Sequence, residues 1–206
     1  MIDEIIKRYP CLSACEDDIQ KATDEIISCY EKGGKLLLCG NGGSAADCEH
    51  ISGELLKGFL KKRALSDEEL NKMEKLCPES KEIAKKLQGG LPAIPLTSLM
   101  SLNTAFSNDE DSDLIYAQGV MAMHGKDDLV LCLSTSGNSK NVVAAAITAK
   151  ALGLKIVALT GNDGGKLKEL ADVAIVVPEK ETFKIQELHL PVYHYICATV
   201  EERFFG

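Results

Sequence analysis

No excess of positive charge marks this chain: 23 Lys and Arg stand against 31 Asp and Glu, a net charge of −8. That balance argues against broad binding to nucleic acid or to an anionic membrane, and an anionic ligand would need a locally built pocket. There is no long apolar run either. The longest fall far short of the roughly 20 residues that a membrane helix needs. The opening MIDEIIKRYP lacks a basic stretch followed by an apolar one, so it does not read as a signal peptide. The eight cysteines form no C-x-x-C pair, and Cys39 and Cys132 sit inside apolar runs, as reduced buried thiols do. No tandem repeat or low-complexity tract is present. These absences predict a soluble, cytoplasmic protein. Its 206 residues, 45% of them apolar, suffice for one domain with a real core.

What is present has a repeated grammar. Residues 2–32 read as helix, with Pro10 dividing two apolar stripes and Gly33-Gly34 ending the second. KLLLC (35–39), AIPLTS (93–98), DLVLCLS (128–134), KIVALT (155–160) and VAIVVP (173–178) read as short buried strands. Most end in loops rich in Ser, Thr, Asn or Gly, and helical patterns lie between them. That alternation predicts an α/β fold: five parallel strands with helices on both faces and ligands at the strands' carboxyl ends. Residues 61–91 read as a helical insertion, a solvated hairpin with an S-x-x-E capping box at Ser66 and Glu69 and a break at Pro78.

The first loop, GNGGSA, formally matches a dinucleotide fingerprint. The next strand lies too far away, however, and the residues 20 positions on are LKKR rather than an acid. GNDGGKL likewise misses the P-loop spacing. A glycine turn that brings main-chain N–H groups to a ligand at a helix N-terminus remains, with Ser44 placed to cap that helix. The loop STSGNS (134–139) carries a hydroxyl or amide on five of its six residues. Such groups can hold a phosphate without a basic cluster. His50 and Glu54 share a helix face four residues apart. Gln186, Glu187, His189 and His194 lie in one apolar segment, KIQELHLPVYHY, where Gln186 and His194 are about 80° and roughly 12 Å apart and Pro191 should kink the helix between them.

The segments CGNGGSAADCEHISGEL, STSGNS, LTGNDGGKL and IQELHLPVYH resemble the SIS-domain phosphoheptose isomerases, which act on sedoheptulose 7-phosphate. The resemblance covers residues 1–60 and 93–206 and implies a single SIS domain over 1–206, a Rossmann-like three-layer sandwich. It implies a homotetramer with active sites between subunits. Ser134, Thr135, Ser136 and Ser139 would hold the phosphate, and Asn41, Gly42, Gly43 and Ser44 the sugar, with Asn108 and Asp109 on a facing loop. Glu54 would be the proton-transfer base and His194 its acid/base partner, with Gln186 also at the substrate. One Zn²⁺ per subunit would be held by His50, Glu54, Gln186 and His194.

The implied reaction is the aldose–ketose conversion of sedoheptulose 7-phosphate to D-glycero-D-manno-heptose 7-phosphate. Its product feeds nucleotide-activated heptose for a cell-surface polymer. A carboxylate and an acid or metal suit its enediolate chemistry. Four features depart from the family pattern, among them Ala45 and the 61–91 insertion. Gly58 stands where an arginine is frequent, with Lys57 beside it, and Phe183 replaces an acidic residue upstream of IQE. The alternatives are isomerisation of another phosphosugar, or a non-catalytic SIS protein that senses a phosphosugar or binds a partner.

Overall fold

The computed structural model describes residues 2–206. Among them the strands are β1 (Leu36–Cys39), β2 (Ala93–Pro95), β3 (Leu129–Ser134), β4 (Lys155–Thr160) and β5 (Val173–Val176). They form one all-parallel sheet in the order β2-β1-β3-β4-β5. The α-helices are α1 (Ile2–Arg8), α2 (Glu16–Glu31), α3 (Gly43–Leu56), α4 (Asp67–Leu76), α5 (Lys81–Ala84), α6 (Met100–Asp109), α7 (Ile115–Met123), α8 (Lys140–Ala151), α9 (Gly165–Leu170) and α10 (Thr182–Phe205).

The period-two geometry of the strands explains the three layers. Leu36, Leu38, Leu129, Leu131, Leu133, Val157 and Leu159 pack into a core with α1, α2, α3 and α10. Their alternates Leu37, Cys39, Val130, Cys132, Ile156 and Ala158 pack into a second core with α7, α8 and α9. Strands apolar on both faces must be covered on both faces, so the predicted α/β sandwich is what forms. All eight cysteines are free, and six are buried.

Three elements differ from the sequence reading. A 3-10 segment, Pro10–Cys15, separates α1 from α2. The second strand stops at Pro95, and Leu96–Ser98 turn into a 3-10 helix. Pro95 lacks an N–H for the ladder, and β2 is an edge strand, where that loss is tolerated. In the 61–91 stretch the capping box forms as expected: Ser66 N donates to Glu69 Oε2 at 2.8 Å, and Glu69 N to Ser66 Oγ at 3.3 Å. The second helix there is only the four residues of α5.

The order β2-β1-β3-β4-β5 reverses direction between β1 and β3. In open α/β sheets the crevice outside the carboxyl ends at that point is where ligands bind. The glycine loop follows β1 and the STSGNS loop follows β3, so both predicted loops open on the same crevice.

Candidate active site at the carboxyl ends of β1 and β3

The first loop is bonded to the helix that follows the second. Asn41 Nδ2 donates to Asn141 Oδ1 at 2.8 Å, and Asn141 Nδ2 returns a bond to Asn41 Oδ1 at 3.0 Å. Tyr116 adds its hydroxyl to Gly40 O at 2.7 Å. Asn41 is therefore fixed to the first turn of α8. Neither Asn141 nor Tyr116 was singled out from sequence, because a pairing across 100 residues leaves no periodic signal.

Ser44 does not cap α3. The cap position is Gly42, and Ser44 is buried inside the first turn, its N–H bonded to Asn41 O at 3.0 Å. The loop enters the helix earlier than the Ser-x-x-Asp pattern suggested. Gly43 has a specific reason to be glycine: a Cβ there would lie 2.3 Å from Gln186 Nε2. The Gln186 amide rests directly on the opening of α3.

The second loop gathers hydroxyls just before a helix. Ser134 closes β3, with its Oγ 3.0 Å from the Oγ of Ser139, the residue that precedes α8. Ser136 Oγ is exposed and accepts from Asn138 N at 3.2 Å, while Thr135 gives its carbonyl to Gly161 N at 3.1 Å. The hydroxyls of Ser134, Ser136 and Ser139 thus precede the N-terminus of a 12-residue helix, whose free N–H groups favour negative charge. The third loop braces them: Lys166 N donates to Asn138 Oδ1 at 3.1 Å.

Helices α3 and α10 lie side by side in the same direction, which places the titratable residues. Gln186 meets α3 at Gly43, and one or two turns on Tyr193 meets Asp47 and His50. His194 stands edge-on to His50, with ring centroids 5.0 Å apart. His50 Nε2 lies 3.3 Å from Glu54 Oε1, and Lys57 Nζ lies 3.5 Å from Glu54 Oε2. His50, Glu54 and His194 therefore come together, while Gln186 stands apart at the mouth of the glycine loop. The rise along α10 is matched by the rise along α3 rather than cancelled by a fold in α10, which continues through Pro191. Burial holds the His194 imidazole below its usual pKa, the His50 charge adding to this and Glu54 opposing it. His194 also lines a groove of about 450 Å³ with Tyr9, Phe59 and Leu60.

Asn108 and Asp109 make no side-chain hydrogen bond to either loop. They end α6, exposed, with Asn108 Nδ2 bonded to Asp109 Oδ1 at 2.8 Å. Among the described residues no three His, Cys, Asp or Glu side chains stand at metal-holding spacing. The donors do fit zinc in kind, being imidazole nitrogen and carboxylate oxygen. The buried Nε2 of His194, which has no hydrogen-bond partner, is an atom that such an ion would satisfy.

Two SIS-domain family models match the chain, over residues 10–89 and 98–196. A phosphoheptose isomerase of Burkholderia pseudomallei is 39% identical over 188 residues, 91% of this chain and 83% of that protein. One of Helicobacter pylori is 35% identical over 213 residues, spanning 99% and 98% of the two chains. The chain belongs to the SIS-domain phosphoheptose isomerase family. Solved phosphoheptose isomerases agree in fold. That of Francisella tularensis superposes with a TM-score of 0.78 at 30% identity, over 97% of this chain and 94% of that one. That of Neisseria gonorrhoeae gives 0.76 at 29% identity and the same coverage. Within this family frame Lys57 stands out, because it sets a cation against Glu54 from the position beside Gly58. Phe183 is exposed on the first turn of α10.

Proposed function

We propose that this member of the family interconverts sedoheptulose 7-phosphate and D-glycero-D-manno-heptose 7-phosphate. The observation that carries the reading is the meeting of one carboxylate and two imidazoles, Glu54 with His50 and His194, on α3 and α10, where α3 opens at the glycine loop that Asn41 ties to the first turn of α8. A binding module needs the loops but has no use for that proton-transfer set.

The phosphate lies on the hydroxyls of Ser134, Ser136 and Ser139 and the first N–H groups of α8, which also fits a chain of net charge −8. The sugar extends along Asn41, Gly42 and Gly43 toward Glu54. Glu54 removes a proton from C1 of the ketose, giving a cis-enediolate, and returns it to C2 to give the aldose. His194, whose partial burial favours the neutral imidazole, accepts the O1 proton and delivers it to O2. His50, Glu54 and His194, joined by Gln186 once its side chain turns away from Gly43, would hold a zinc ion, which as a Lewis acid would favour the enediolate oxygens.

The protein works as a homotetramer whose sites lie between subunits, and Asn108 and Asp109 complete the site of a neighbouring copy. No helix of the described residues is long and apolar enough to cross a membrane. The reaction takes place in the cytoplasm. Incubating the purified protein, with zinc supplied, with sedoheptulose 7-phosphate should produce the aldose resonances in its NMR spectrum. A folded, zinc-supplied protein that leaves the ketose unchanged would overturn this reading.

A further inference from the structure

We propose that Tyr193 and Asp47 are positioning residues that hold His50 as its Nδ1–H tautomer and present a bare Nε2 to Glu54. The functional meaning of this arrangement rests on the isomerase reading; the tautomer itself does not.

The argument follows one proton. Tyr193 is buried, and its hydroxyl touches two groups: Asp47 Oδ1 at 3.2 Å and His50 Nδ1 at 3.0 Å. A phenol has one proton to give. Given to His50, it would leave the Tyr193 oxygen and the Asp47 carboxylate facing each other with lone pairs only. Asp47 already has one buried oxygen, Oδ2, without a partner. Burying a second unpaired acceptor there carries the full desolvation penalty. The proton therefore goes to Asp47, and the Tyr193 oxygen accepts from His50 Nδ1.

A neutral imidazole carries one N–H, so Nε2 is left with a lone pair. It lies 3.3 Å from Glu54 Oε1. A lone pair against a carboxylate oxygen is a place for a proton or a cation to be shared. Packing fixes the ring as well. Tyr193 stands edge-on to both His50, at 5.5 Å between centroids, and His194, at 5.1 Å. One residue thus orients both imidazoles and supplies the acceptor that selects the tautomer. Outer partners of this kind commonly fix the tautomer of a histidine whose other nitrogen is used.

The test is ¹⁵N NMR of the imidazoles in the metal-free full-length protein, with zinc titration against a competing chelator as a second readout. Wild type should show His50 with its proton on Nδ1. Tyr193→Phe, which keeps the ring but not the oxygen, should shift His50 toward Nε2–H and weaken zinc binding about 10–100-fold. Tyr195→Phe, on the same helix, should do neither. An Nε2–H tautomer in wild type overturns the proposal, and so does a Tyr193→Phe variant with unchanged tautomer and zinc affinity. The wild-type spectrum decides even if Tyr193→Phe does not fold. A confirmed tautomer in a protein that does not isomerise the sugar would remove the functional reading and leave this one standing.

Discussion

His189 shows how differently two histidines on one helix are used. His194 borders the crevice, whereas His189 is fully buried, its Nε2 3.2 Å from the carbonyl of Thr160 and its Nδ1 without a partner. Burial pushes its pKa down to about 4, the bond to Thr160 opposing. The unfolded value is about 6.5. A lowered folded value means that the unfolded chain takes up the proton first as the pH falls. Stability is therefore full above pH 6.5 and drains away between pH 6.5 and 4. At 1.36 kcal/mol per pKa unit this amounts to about 3 kcal/mol. Urea unfolding at a series of pH values should show a steeper loss for wild type than for His189→Gln. Identical slopes would contradict a neutral, buried role.

At the scale of elements, the helix that carries Glu54 is held from its far end. Arg63 Nη2 donates to Glu54 O at 2.8 Å, and its guanidinium stacks over Phe205 at 4.7 Å. Glu201, also buried, accepts from Arg63 Nε at 2.8 Å and from the backbone N–H groups of Phe59, Leu60 and Lys61 at 2.8, 2.7 and 3.0 Å. Removing one charge of a buried pair leaves the other uncompensated, so Glu201→Met should cost about 3–5 kcal/mol by urea unfolding. A loss below 1 kcal/mol would show the clamp to be incidental. The loop contact is equally specific. Gly137 has φ +65, and a Cβ there would lie 1.9 Å from Gly164 O. Gly137→Ala should cost about 2 kcal/mol or more and raise KM by separating the second and third loops.

Much of this level was legible in the sequence, and the reason is local periodicity. Unbroken apolar runs in Leu129–Ser134 and Lys155–Thr160 mark strands buried on both faces, and His50 with Glu54 share a face by spacing alone. Pairings between distant segments were not legible. No local pattern links Arg63 to Glu201, 138 residues apart, or Asn41 to Asn141, 100 apart. Tyr193, beside His194 and buried, carried no signal of its own in the sequence. Ser44 misled because its pattern suited a cap that Gly42 occupies.

Over the whole molecule, one chain brings Glu54, His50 and His194 together on α3 and α10, while Asn108 and Asp109 end α6 exposed, bonded to each other. If they complete a neighbour's site, two inactive variants should rescue each other. Glu54→Gln and Asp109→Ala, unfolded and refolded together, should regain activity that neither has alone. A mixture no more active than its parts would place the site within one subunit. The most direct test of the central claim is solvent deuterium entering C2 of the heptose phosphate when sedoheptulose 7-phosphate is incubated in D₂O. Wild type should incorporate deuterium at C2 as the aldose forms, and Glu54→Gln should slow both by about 10²–10⁴-fold. Aldose formed without deuterium at C2, or exchange undiminished in a folded Glu54→Gln protein, would contradict proton transfer by Glu54 through an enediolate.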